Sequence, residues 1–106
     1  MSKATKGTLL PRRAAKNLAL VGEQIRLARL RRNLTIANIA DRATCSELSV
    51  MRVEKGSASV AMGIYLRVLF AMQLDEDILY LAQKDEIGRN LQDLDLKRRK
   101  RGAKRK

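Results

Sequence analysis

The stretch LTIANIADRATCSELSVMRVEKG, residues 34–56, decides how this chain folds. Thr35 stands directly before an apolar pattern at Ile36, Ile39, Ala40 and Ala43. It therefore reads as the N-cap of a helix about two turns long, with those four side chains inward. A turn around Thr44–Cys45 follows, and Ser46 reads as the cap of a second short helix closed by Gly56. Val50 and Val53 supply its inward face. Glu47 sits early in it, where a negative charge suits the positive end of the dipole.

Upstream, Leu18, Val21, Ile25 and Ala28 keep the three-and-four spacing of one helix face between Leu18 and Leu34. Arg26, Arg29, Arg31 and Arg32 lie around the other side, and Asn33 reads as a left-handed stop. Downstream, the polar connector Ser57-Ala58-Ser59 leads into a helical pattern from Val60 to Leu74. The acidic triplet Asp75-Glu76-Asp77 suits another helix start, with Ile78, Leu79, Leu81 and Ala82 behind it. Lys84-Asp85-Glu86 interrupts, and Ile87, Leu91, Leu94 and Leu96 form a last, weaker stripe. No useful strand alternation occurs. The expectation is an all-α chain in which residues 17–83 make a compact five-helix domain. A basic N-terminal tail at 1–16, a short helical extension at 84–96 and a disordered basic tail at 97–106 complete it.

The net charge of +12 lies in the tails: 1–16 holds five basic residues and no acid, and 97–106 holds eight basic residues. Residues 17–58 carry seven basic groups against four acids, whereas 59–96 carry three against seven. One half is suited to phosphates and the other to a different partner. There is no histidine, the one cysteine has no zinc-ligand companions, and no Gly-rich phosphate loop occurs. The expectation is a non-enzyme with no cofactor and no metal. The composition offers no membrane-length apolar run and no signal-peptide pattern, so a cytoplasmic protein is expected. Cys45 reads as a buried hydrophobe, and Met51, Met62 and Met72 as core filling.

Several residues together resemble the Cro/C1-type (XRE-type) helix-turn-helix family over roughly residues 18–82. They are Gly22 to Arg29, Leu34-Thr35, Ile39-Ala40, Ser46, Val50 and Val53-Glu54-Lys55-Gly56. The resemblance implies a helix-turn-helix domain whose recognition helix spans 46–54. Ser46, Glu47, Leu48, Ser49 and Arg52 match positions that face bases in the major groove. Arg52 can offer a fork to guanine, Glu47 can accept from cytosine, and Leu48 can lie on a thymine methyl. Thr35, Arg42, Lys55 and Ser57 are placed for phosphates, as are Lys97, Arg98 and Arg99 in the tail. Arg29 and Glu54 match a structural salt bridge of the family. The chain departs from the pattern at Ile36, where Gln is usual, at Thr44, where Gly is usual, and at Glu47, where Gln or Arg is common.

A lone module of this kind reads few base pairs, so a homodimer on a palindromic double-stranded DNA operator is expected. Leu74, Ile78, Leu79, Leu81, Ile87 and Leu91 are the expected dimer surface. Residues 69–77 and 85–93 look like HipB-type antitoxin regulators. That likeness implies an autorepressor, nucleoid-associated in a bacterium when bound, that partners a HipA-type kinase toxin. A phage- or plasmid-type repressor without a toxin, and an interaction module that no longer reads DNA, stay open as alternatives.

Overall fold

The computed structural model describes residues 9–101. Among them the chain is all-helical, with five α-helices and one 3-10 helix. It divides into two compact units, up to Glu76 and from Asp77 onward.

In the first unit α1 spans Arg12–Arg31, α2 Ile36–Ala43, α3 Glu47–Glu54 and α4 Met62–Ala71. The buried core is Ile25 and Ala28 of α1, Ile39, Ala40 and Ala43 of α2, Val50 and Val53 of α3, and Tyr65, Val68 and Met72 in and after α4. Ile39, Val50, Val53 and Val68 are completely buried. Each contributes about 1.5–3 kcal/mol relative to an exposed side chain.

All four helices end the same way. A residue with positive φ follows the last turn, at Asn33 (56°), Thr44 (56°), Gly56 (70°) and Gln73 (61°). The next N–H then reaches back to a carbonyl five residues earlier. These bonds are Leu34 to Arg29 (3.2 Å), Cys45 to Ala40 (3.0 Å), Ser57 to Arg52 (2.9 Å) and Leu74 to Leu69 (2.8 Å). This is the Schellman stop, which satisfies carbonyls that a helix end leaves open. Asn33 and Gly56 are residue types that invite it. Thr44 and Gln73 are not.

Several boundaries differ from expectation. α1 begins at Arg12, inside the stretch read as tail, and α4 is shorter than 60–74. Val21, expected inward, is 42% exposed. Gly22 takes its place against α3, because an added Cβ there would lie 2.6–2.7 Å from backbone atoms of Val53, Glu54 and Gly56. Only a residue without a side chain lets the helices approach so closely. Met51 and Met62 are exposed, and of the three methionines only Met72 fills core.

In the second unit the 3-10 helix Asp75–Tyr80 continues across the unit boundary and α5 spans Glu86–Arg101. Lys84 and Asp85 lie between the two helices, and Asp85 also starts α5: its Oδ1 accepts from the Gly88 N–H at 3.0 Å. The stretch expected to be disordered from residue 97 is helical through Arg101, and residues 102–106 lie outside the described residues. Asp95 supports that extension through Arg99 (2.7 Å) and Arg98 (3.9 Å). Among the described residues no helix is long and apolar enough to cross a membrane.

Candidate nucleic-acid interface

α3 owes its start to Ser46, whose Oγ accepts from the Ser49 N–H at 3.0 Å and donates to Ser49 Oγ, also at 3.0 Å. Two of the five base-reading candidates are therefore partly committed to each other. Glu47, Leu48 and Arg52 are exposed on the outer face, and Met51 and Lys55 are exposed beside them. The opposite face buries Val50, Val53 and Glu54. Met51 belongs with the outer face because it lies three residues from Leu48 and four from Lys55. Sequence reasoning placed it in the core on its apolar character alone.

Two contacts fix α3 against α1. Arg29 Nε donates to Glu54 Oε2 at 2.6 Å, and Nη2 donates to Oε1 at 3.0 Å. The remaining nitrogen, Nη1, donates to the Leu34 carbonyl at 3.0 Å. Both residues are buried, and the hydrogen bond to Glu54 pushes the Arg29 pKa up against the opposing effect of burial. Arg29 is thus engaged inside the fold through all three guanidinium nitrogens. The second contact is the close backbone approach at Gly22 and Gly56.

The phosphate candidates lie on different elements. Thr35 closes a capping box with Asn38, accepting from its N–H at 3.0 Å and donating its own N–H to Oδ1 at 2.9 Å. Among the described residues the Thr35 hydroxyl donates no hydrogen bond. Arg42 and Lys55 are exposed. Ser57 is half-buried; its Oγ lies 2.8 Å from Ser59 Oγ and accepts from the Ser59 N–H at 3.2 Å. Lys97, Arg98 and Arg99 are exposed on α5 in the other unit. Ile36 is half-buried against the core.

Two residues of α4 went unnoticed in the sequence. The Tyr65 hydroxyl donates to the Ser57 carbonyl at 2.7 Å, and burial pushes its pKa up. Arg67 Nη1 donates to the carbonyls of Thr44 (3.2 Å) and Ala43 (3.4 Å). The available signal was that Arg67 is the only charged residue within α4. Cys45 is half-buried, and burial raises its pKa while the charge of Arg67 works the other way.

Of the expected dimer surface, Leu79, Leu81, Ile87 and Leu91 are exposed, and Ile78 is half-buried. Leu74 instead packs against the core of the first unit. It follows the left-handed stop at Gln73, where the residue after the turn folds back on the helix it ends. No family model, curated protein or solved structure matches this chain.

Proposed function

We propose that the chain is a sequence-specific DNA-binding transcriptional regulator built on a helix-turn-helix, with α3 as the helix that enters the major groove. The observation that carries this reading is α3 itself. It is a short, capped helix with Glu47, Leu48, Met51, Arg52 and Lys55 exposed on one side and its back locked to α1 by Arg29–Glu54. A base-reading side chain needs such a rigid support, since a loosely held fork loses its directional bonds. Arg42, Lys55 and the Thr35 hydroxyl supply phosphate contacts around it, and the likeness to Cro/C1-type regulators agrees with these roles.

The finer reading is a homodimer on a palindromic operator, with the apolar residues of the second unit as its contact. By its HipB-like segments it is the autorepressing antitoxin of a HipA-type kinase. A kinase gene beside this one distinguishes it from a phage- or plasmid-type repressor. The test of DNA reading is fluorescence anisotropy with a duplex from the chain's own promoter and a scrambled duplex. Arg52→Ala is expected to lower affinity for the promoter duplex by about 1–3 kcal/mol and to leave the scrambled duplex nearly unaffected. Equal binding of both duplexes by the unaltered chain overturns the proposal. It would favour an interaction module, a reading that the exposed carboxylate of Glu47 supports.

A further inference from the structure

We propose that Arg67 is a positioning residue for α3: its guanidinium clamps the left-handed turn at Thr44 and so fixes the direction in which α3 leaves α2. The need for a clamp comes from the backbone. Thr44 sits at φ 56° and ψ 52°, a conformation in which a β-branched side chain crowds the following peptide. Such a residue persists where its surroundings over-determine it. The other stops in the unit fall on Asn33, Gly56 and Gln73, none of them β-branched.

Arg67 is placed to supply what Thr44 needs. Its Nη1 reaches the last carbonyl of α2, Ala43, and the carbonyl of Thr44 itself. These lie at the negative end of the α2 dipole, beyond the bonds that the helix makes internally. Arg67 enters no ion pair among the described residues, so no carboxylate there competes for it. Tyr65, two residues away, bonds the Ser57 carbonyl just past the end of α3. α4 thereby holds the segment carrying α3 at both ends, with Arg67 before it and Tyr65 after it.

The rival role for an exposed arginine here is a phosphate contact, and one experiment separates the two. The full chain and its Arg67→Ala, Arg67→Gln and Arg67→Lys variants are compared in two ways. Amide hydrogen exchange without DNA is followed at Cys45, whose N–H donates to the Ala40 carbonyl. Binding to promoter and scrambled duplexes is followed across a salt series. The binding comparison rests on the DNA reading above; the exchange comparison does not. With Arg67→Ala, exchange at Cys45 is expected to quicken about tenfold, and Thr44→Gly in the same chain is expected to remove most of that change. Promoter affinity is expected to fall about tenfold, with scrambled binding and the salt slope unchanged and with partial recovery in Arg67→Lys. Arg67→Gln, which keeps one donor, reports on the clamp if the alanine variant does not fold. Unaltered exchange at Cys45 overturns the proposal. So does an equal loss on both duplexes with a salt slope smaller by about 0.9, the mark of a phosphate contact. Should the unaltered chain prefer neither duplex, the DNA reading fails and the exchange comparison decides the clamp by itself.

Discussion

α3 and α5 are both amphipathic by the same spacing rules, yet they end in opposite conditions. The apolar side of α3 is fully buried at Val50 and Val53. That of α5 is open: Ile87, Leu91 and Leu94 are 75%, 62% and 59% exposed. α3 is eight residues long, too short to persist alone, and it survives because α1, α2 and α4 all pack on it. α5 is twice that length and relies on local devices, the Asp85 start and the Asp95–Arg99 pair. Spacing makes a helix legible, whereas burial depends on what the rest of the chain brings to it.

The comparison can be broken most forcefully at the buried ion pair. Glu54→Ala leaves the Arg29 guanidinium buried without its partner, and a loss of about 3–5 kcal/mol is expected in urea denaturation. A loss below about 1 kcal/mol would mean that α3 is not held to α1 as described. Next, Gly22→Val drives a side chain into the backbone of Val53, Glu54 and Gly56. A destabilisation of about 1–3 kcal/mol is expected by the same measurement. Thr44→Gly relieves the crowded turn, and a gain of about 1 kcal/mol is expected, read as a higher melting temperature. At the small end, Leu91→Ala is expected to change the stability of the first unit by less than about 0.5 kcal/mol. A larger loss in the dilute, monomeric chain would show that the stripe is covered within one chain, and the contrast with α3 would fail.

A pH experiment addresses the far end of α3. Burial raises the Tyr65 pKa above its ordinary 10.0, so folding favours the protonated phenol that bonds Ser57. Its contribution is complete below about pH 10 and is lost as pH rises through the higher folded value. Tyr65→Phe is expected to remove that alkaline loss from the stability profile between pH 9 and 11, measured by urea denaturation at each pH. A profile unchanged by the substitution would show that the phenol does not secure the connector.

Much of the first unit is legible in local sequence. The caps Thr35 and Ser46, the stops Asn33 and Gly56, and the inward residues Ile39, Val50 and Val53 each follow from local chemistry. Residue type misleads where helix geometry decides. Met51 and Met62 are apolar and were assigned to the core, but their helices turn them outward. Val21 was favoured over Gly22 because spacing rules reward side chains, whereas that contact requires the lack of one. The like charges of residues 97–101 suggest disorder, yet Asp95 pairs with Arg98 and Arg99 and the helix continues to Arg101.

The sequence by itself determined the starts at Thr35 and Ser46, the stops at Asn33 and Gly56 and the inward residues Ile39, Val50 and Val53, because caps, stops and spacing act over only a few residues. The tertiary structure alone decided what α4 holds. Arg67 acts on a turn 23 residues before it, and Tyr65 on a carbonyl eight residues before it. Neither distance corresponds to a period or a cap. Such contacts exist only once the core of Ile39, Val50, Val53 and Val68 has brought α4 against α2 and α3.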